Sequence, residues 1–295
     1  VSGSWQDEAM TSEATQRIAF LGCGSMNESI LAGLLAAGLD PSVVTATVRR
    51  AERAGELRER HGVDALATAD DDGANVAAVR DADVVVLGVK PVGIVPLARE
   101  ISSALKPSAV VLSVAAAVSI AMIEAVLPAG QPVIRSMPNT PSRLGRGVLS
   151  ISAGTSVDPE LMERARDLLR PAGTVVEIPE DQVDALSAVS GSGPAYAFYL
   201  AETMAAAGVE LGLDADLSAL IARETVAGAG FMLAEPSADA AVLRRAVTSP
   251  KGTTQSAIET FEKLGLPGVI AAGARAATAR AAEITRELAG PEAMP

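Results

Sequence analysis

"IAFLGCGSMNESILAGLL", residues 18–35, decides the fold. A short apolar run ends at Gly22. Gly24 follows, and an amphipathic run begins at Ser25. Strand, glycine turn and helix in that order open a dinucleotide-binding βα unit. Gly22 allows the tight turn. Gly24 lets the backbone approach a pyrophosphate, which the positive N-terminus of the following helix attracts. The third position of this pattern takes a small residue so that helix and strand pack closely. Asn27 stands there with a polar side chain, so the turn is expected to be somewhat opened. A glycine turn with no ligand is the competing reading.

The chain beyond the turn favours the cofactor. From Arg17 to about Ile178, short apolar runs alternate with helical segments: IAFLG, VVTATV, DVVVLGV, AVVLSVA, PVIRSMP and TVVEIP. "GRGVLSISAG" adds a further short strand at a sheet end. This alternation predicts βαβ units and a parallel sheet covered on both faces. After about Glu180 the strand-like runs stop. Residues 181–209, 214–234, 239–247 and 252–290 are Ala-rich and helical in period, punctuated by Pro236, Pro250 and Pro267. The predicted class is α/β: an N-terminal Rossmann-type parallel-sheet domain over 17–179, then an all-helical dimerisation domain over 180–295. Stretches such as "AYAFYLAETMAAAGVELGL" carry too few charges for one buried stripe, which predicts burial against another subunit. Residues 1–16 read as a disordered leader. They lack the basic start and apolar stretch of a secretory signal, and the opening Val suggests a partial cloning remnant.

Composition narrows the function. The chain has 295 residues, 49% hydrophobic but only 2% aromatic, so its core is built from Ala, Val, Leu and Ile. A net charge of −12 argues against nucleic acid or an anionic membrane surface as partner. Cys23 is the one cysteine, which excludes an internal disulfide and suits a reducing, cytoplasmic setting. His61 is the one histidine, so His/Cys metal clusters are excluded. Asp70 to Asp72 read as a solvated acidic loop, and no metal site is expected.

Further strings carry candidate chemistry, each with a plainer alternative. At the end of the second strand, "TVRRAERAG" replaces the acid that grips an NAD ribose. Arg49 and Arg50 suit a 2′-phosphate instead, or merely begin a helix. "VVVLGVKPVGI" ends a buried strand at Lys90-Pro91, where open α/β sheets bind ligands, or simply turns the chain. "VLSVAAAVS" ends another strand in small residues, fit for a flat nicotinamide or for tight packing. "MPNTP" over 137–141 is a rigid polar loop that could shape a pocket. "AVSGSGPAYAFYL" and "AVTSPKGTTQSAIETF" are the most distinctive strings. Pro194 suits a first helical turn, and the N–H groups of Gly252, Thr253 and Thr254 are expected to form an anion site at a helix start.

Taken in order, GxGxM, VKP, the small-residue strand end, MPNTP, SGSGPAY and SP-x-GTT resemble the pyrroline-5-carboxylate reductases over about residues 17–288. The resemblance implies reduction of Δ1-pyrroline-5-carboxylate to L-proline, with NADPH as cofactor and NADH as alternative. It implies a homodimer of interleaved helical domains, and a decamer built from dimers in many members. By motif match the phosphate turn runs through Gly22, Cys23, Gly24, Ser25, Met26 and Asn27. Arg49 and Arg50 lie on the adenosine side, and Asn75 matches a cofactor-contacting Asn. The nicotinamide side matches Gly88, Val89, Lys90, Pro91, Ala115, Ala116 and Ala117. The substrate site matches Glu180, Ser249, Gly252, Thr253 and Thr254, with Thr254 as the catalytic residue.

Three residues depart from the family pattern. Asn27 stands where Gly or Ala is usual. Ala117 stands where Gly is common, and Lys251 replaces the first glycine of SPGGT. Lys prefers negative φ, so the loop at Lys251 is expected to be slightly altered. Two rival readings remain. One is a β-hydroxyacid dehydrogenase with a Lys acid, which needs a helix carrying Lys four residues before Asn. The other is an NADP-binding sensor without turnover.

Overall fold

The computed structural model describes residues 16–289, so most of the leader, residues 1–15, lies outside the described residues. The described chain falls into two compact units. One runs to Leu186 and takes in the segment from Ala281, and the other is Ser187–Arg280.

The first unit alternates strand and helix. In chain order it contains β1 (Ile18–Leu21), α1 (Ser25–Ala36), β2 (Val44–Val48), α2 (Ala51–His61), β3 (Asp64–Ala67), α3 (Ala74–Val79), β4 (Val84–Leu87), α4 (Pro91–Ile101), β5 (Val110–Ser113), α5 (Ile120–Glu124), β6 (Val133–Met137), β7 (Gly147–Ala153), α6 (Pro159–Leu169), β8 (Gly173–Glu177) and α7 (Val183–Leu186). The eight strands lie in the order β3-β2-β1-β4-β5-β6-β7-β8. All neighbours pair in parallel except β6 and β7. Each run read as a strand forms one, but "GRGVLSISAG", expected at a sheet end, becomes β7, one strand in from the β8 edge. Sequence reading misses β3: "DALA" has no β-branched residue, and its outer position needs little apolar surface.

The central strands β1 and β4 are apolar throughout because both faces are covered. Ile18 and Phe20 face one core half, with Leu31, Leu57 and Leu169 from helices α1, α2 and α6. Ala19 and Leu21 face the other, with Val79, Ile94 and Ile123 from α3, α4 and α5. The period of two along β1 therefore feeds two different cores.

Strand order reverses at β1, so a crevice opens beyond the ends of β1 and β4. Here the turn is closed, contrary to the expectation of an opened one. Asn27 is fully buried. Its Nδ2 donates to the Leu21 carbonyl at 3.2 Å and, at 3.5 Å each, to those of Gly22 and Val86. Gly88 makes the room: a Cβ there would sit 2.3 Å from Asn27 Nδ2. The missing small residue of the turn is thus supplied from the neighbouring strand end. Gly22, at φ 70°, is needed for a second reason, because a Cβ on it would meet Val89 Cγ1 at 2.4 Å.

The second unit is helical. It contains α8 (Gly193–Glu210), α9 (Ala215–Leu233), α10 (Ala240–Ala246), α11 (Thr253–Lys263) and most of α12 (Leu266–Ala289). The helical run over 252–290, punctuated at Pro267, forms two helices separated at Leu264-Gly265, with Gly265 at φ 82° and Pro267 in the first turn of the second. The run over 181–209 is interrupted by a π-helical turn at Ser187–Gly191. Pro194 occupies the first turn of α8, as expected. Asp214 and Asp239 cap α9 and α10 through the N–H groups of Asp216 and Val242. Among the described residues of this unit only Ala188, Ser218 and Ala222 are buried. Phe198, Tyr199 and Phe231 are exposed in the single chain.

The close fit of Asn27 against Gly88 is testable. Gly88→Ala overpacks the Asn27 site and should destabilise the fold by roughly 1–3 kcal/mol. Adding Asn27→Ala should recover much of that loss in denaturant titrations, whereas independent sites would simply add.

Asp83 gives a test of a different kind. It accepts from the Arg17 N–H and from Lys106 Nζ, both at 2.9 Å. Burial opposes its ionisation, but the Arg17 N–H, Lys106 and the charge of Arg164 outweigh it and hold the carboxyl below its ordinary 3.8. A depressed carboxyl adds stability above its unfolded value and loses it as pH falls through the folded one. Asp83→Asn should therefore cost on the order of 1 kcal/mol near neutral pH. The gap from the parent chain should close as the pH falls below the depressed value.

Candidate active site

The cofactor end is built at the N-terminus of α1. The N–H groups inside the glycine turn are already used. Gly22 N–H donates to Thr47 Oγ1 at 3.2 Å, Cys23 N–H to the Thr47 carbonyl at 2.7 Å, and Gly24 N–H to the Gly22 carbonyl at 2.7 Å. The Glu28 N–H is the first to find a helical acceptor, the Gly24 carbonyl. The donors left for an anion are those of Ser25, Met26 and Asn27. No side chain caps this end. Gly24 is open, because the nearest atom to a Cβ placed there is 4.0 Å away. An uncapped helix start over an open glycine fits a pyrophosphate.

Cys23 takes a different place from the one its motif position implies. Its side chain is buried in the core and its N–H is occupied. The thiol is pushed up to about 12, by burial first and then by the charge of Glu28, with Arg53 acting the other way. It packs the turn and offers no donor to a ligand. The Asn75 amide is likewise engaged. Its Oδ1 accepts from Thr47 Oγ1 at 2.7 Å, and its Nδ2 donates to Glu100 at 3.1 Å. Thr47 therefore joins Asn75 to the Gly22 turn, a link that nothing in the sequence pattern announces.

Arg49 and Arg50 are exposed at the end of β2, and Arg50 is the N-cap residue of α2. Two cations beside the glycine turn fit a 2′-phosphate. Gly88 lies at the end of β4, with its N–H on the Leu21 carbonyl at 2.9 Å. Val89 flanks Gly22. Lys90 precedes α4 and is exposed, and Pro91 opens that helix rather than merely ending a strand. After β5, Ala115 and Ala117 are buried and Ala116 is exposed.

Glu180 is held from within the sheet unit. Its Oε1 accepts from the Ile120 N–H at 2.8 Å and from Arg135 Nη1 at 3.0 Å. Arg135 is 6% exposed and also lies 3.9 Å from Asp184. Sequence reasoning misses Arg135, because a charged residue inside "PVIRSMP" gives no hint of which acid will meet it. Asn139 of the "MPNTP" loop is buried and accepts from the Val148 N–H at 2.9 Å, so it ties the loop to β7.

In the helical unit, "SPKGTT" leads into α11. One of the three expected N–H donors is used: Gly252 donates to the Ser249 carbonyl at 3.0 Å. Thr253 and Thr254 occupy the first turn, where N–H groups have no helical acceptor. Gly252 is required sterically, since a Cβ would meet Ser249 Oγ at 2.4 Å. Lys251 takes φ 58°, so the loop keeps the left-handed turn that a glycine supplies. Gln255 Oε1 holds it by accepting the Lys251 N–H at 2.7 Å. Ala117 takes φ 62°. These are the only two non-glycine residues with positive φ among the described residues. Both stand where the family pattern has glycine, so the backbone is kept at a steric cost on the order of 1–3 kcal/mol each.

Among the described residues no group of three or more His, Cys, Asp or Glu side chains could hold a metal ion. No helix among them is long and apolar enough to cross a membrane.

Comparison with known proteins identifies the family. Residues 180–284 match the family model described as pyrroline-5-carboxylate reductase dimerisation. Residues 17–117 match the model described as NADP oxidoreductase, coenzyme F420-dependent. A pyrroline-5-carboxylate reductase of Corynebacterium melassecola is 40% identical over 270 residues, covering 90% of this chain and 98% of that protein. The structure of a pyrroline-5-carboxylate reductase from Coxiella burnetii superposes with a TM-score of 0.85 at 34% identity, covering 92% of this chain and 99% of that one. The Plasmodium falciparum pyrroline carboxylate reductase, solved with NADP bound, shares the fold with a TM-score of 0.79 at 22% identity, over 93% of this chain and 100% of that one. With a relative this similar over nearly its whole length, the chain belongs to the pyrroline-5-carboxylate reductase family.

Proposed function

We infer that this chain reduces 1-pyrroline-5-carboxylate to L-proline, with NADPH as the hydride donor. The observation that carries the reading is the α11 start: a helix N-terminus with free Thr253 and Thr254 N–H groups, no side-chain cap and a Thr hydroxyl in its first turn. The substrate is a cyclic imine bearing a carboxylate. NADPH, when bound, supplies the hydride to the imine carbon. The protein's task is to hold both molecules in line and to meet the charge that shifts onto nitrogen. The Thr253 and Thr254 N–H groups take the carboxylate, with Ser249 and Gly252 shaping the loop beneath it. The Thr254 hydroxyl hydrogen-bonds the ring nitrogen. A threonine is too weak an acid to surrender its proton, so the proton arrives through water or with an already protonated iminium. Glu180, fixed by Arg135, is the acidic member of the substrate group.

On the cofactor side, the Ser25, Met26 and Asn27 N–H groups hold the pyrophosphate. Arg49 and Arg50 hold the 2′-phosphate, which favours NADPH over NADH. Gly88 to Pro91 and Ala115 to Ala117 flank the nicotinamide. Functionally, residues 17–179 form the cofactor domain and 180–295 the substrate and dimerisation domain. The family match that begins at residue 180 supports this division. The working form is a homodimer, with a decamer built from five dimers as the larger assembly, and its setting is the cytoplasm. Exposed Phe198, Tyr199 and Phe231 on helices with almost no core of their own support the dimer. Neither rival gains support. No helix after "SGSGPAY" pairs a Lys with an Asn four residues on, and a sensor without turnover does not explain the substrate-side residues.

The deciding experiment is dinucleotide oxidation with pyrroline-5-carboxylate. NADPH should be consumed faster than NADH, with proline as product. No turnover with either would refute the enzyme reading. In the same assay Thr254→Ala should lower kcat about tenfold to a hundredfold and change KM less. That is the effect of one hydrogen bond worth roughly 1–3 kcal/mol that strengthens as hydride arrives. A Thr254→Ala chain with full kcat would place the chemistry elsewhere. Sedimentation should find a dimer as the smallest active species, and an active, folded monomer would refute the assignment.

A further inference from the structure

Helix α1 carries a largely buried carboxylate immediately after the three free N–H groups of the phosphate turn. Glu28 is 17% exposed and meets two arginines and the one histidine of α2. Arg53 Nη2 donates to its Oε2, Arg60 Nη1 to its Oε1 at 2.7 Å, and His61 Nε2 lies 3.1 Å from that same Oε1. Arg53 gives its other terminal nitrogen to Glu56 at 2.6 Å. Burial of Glu28 favours the neutral acid. The hydrogen bonds from His61 and Arg53, with the charges of Arg53 and Arg60, outweigh it and hold the carboxyl below its usual range. Glu28 is therefore ionised at neutral pH. Both Glu28 and Arg53 are close enough to the turn to act on the Cys23 thiol.

Arg53 lies in the first turn of α2, three residues after Arg50 and at the same end as the exposed Arg49 and Arg50. An arginine grips a phosphate through paired N–H groups. Both terminal nitrogens of Arg53 are already on carboxylates, so gripping a phosphate with that pair means competing with Glu28 and Glu56. Arg60 and His61 stay on Glu28 if Arg53 leaves, so the exchange does not strand a buried charge.

We propose that Glu28 is a cofactor-specificity residue: a resident carboxylate that competes with the ribose 2′-phosphate for Arg53, and so limits how strongly the chain prefers a 2′-phosphorylated dinucleotide. This rests on the NADP reading above. Glu28 is distinct from the acid at the end of the second strand that grips an NAD ribose. It acts from α1, on a cation, and touches no ribose.

The test is equilibrium binding to the full chain of two adenosine probes, adenosine 2′,5′-bisphosphate and 5′-AMP, which need no turnover. Glu28→Gln should tighten the bisphosphate about threefold, the scale of one partly exposed ion pair, and leave 5′-AMP nearly unchanged. Arg53→Ala added to Glu28→Gln should remove that gain. Equal tightening of both probes, or a gain that survives Arg53→Ala, would show a general field effect and overturn the proposal. Weaker bisphosphate binding by Glu28→Gln would overturn it too. Should Glu28→Gln fail to fold, Glu28→Asp keeps the charge but shortens the reach to Arg53. It should shift the ratio of the two probes in the same direction, and an unchanged ratio would overturn the proposal. A parent chain that binds the bisphosphate no better than 5′-AMP would refute the 2′-phosphate reading itself, a result separable from any failure at Glu28.

Discussion

Two strand ends approach each other across the switch point of the sheet, and the cofactor end of the molecule depends on how closely they do so. Asn27 fills the gap between β1 and β4, and Gly88 leaves the space for it. Neither residue makes sense alone. A glycine at the end of β4 would leave a void without Asn27, and Asn27 would push the strands apart without the glycine. The Asn27 Nδ2 also reaches carbonyls of both strands, adding a second donor to the Leu21 carbonyl that already accepts from the Gly88 N–H. The glycine turn stays tight, and the first turn of α1 points its spare N–H groups into the crevice.

The turn is braced by the same means, a short chain of polar contacts. Thr47 accepts from Gly22, and its carbonyl accepts from Cys23. Asn75 then fixes Thr47, and Glu100 fixes Asn75. Three elements, β2, α3 and α4, thus set one loop. A polar network of this kind rigidifies a site when each member is partnered. The N–H groups of the turn itself are occupied, and the donors it leaves belong to the first turn of the helix that comes next.

Much of this was legible in the chain. The short apolar runs identified the strands, the glycine turn marked the first crossover, and the Ala-rich remainder marked the helices. Ala117 and Lys251 were singled out as non-glycine residues in glycine positions, and both adopt left-handed backbone. Sequence could flag that conflict but not its outcome, because a substituted residue can either bend the loop or endure the strain. Here Gln255 accepts the Lys251 N–H and the loop endures it. β3 escaped notice, as four residues of Asp, Ala and Leu carry no strand signal without the neighbouring β2.

By itself the sequence determined which residue types stand at each strand end and helix start, since these depend on local pattern and spacing. Only the tertiary structure decided which of those residues remain available to a ligand. Gly252 and Cys23 carry donors in the right motif, yet the Ser249 and Thr47 carbonyls take them. Arg53 is one more basic residue in a basic run until Glu28 and Glu56, the first from another helix, close on it. Pairing between residues far apart in the chain is set by packing geometry, and a hydrogen-bonding group has only so many bonds to give.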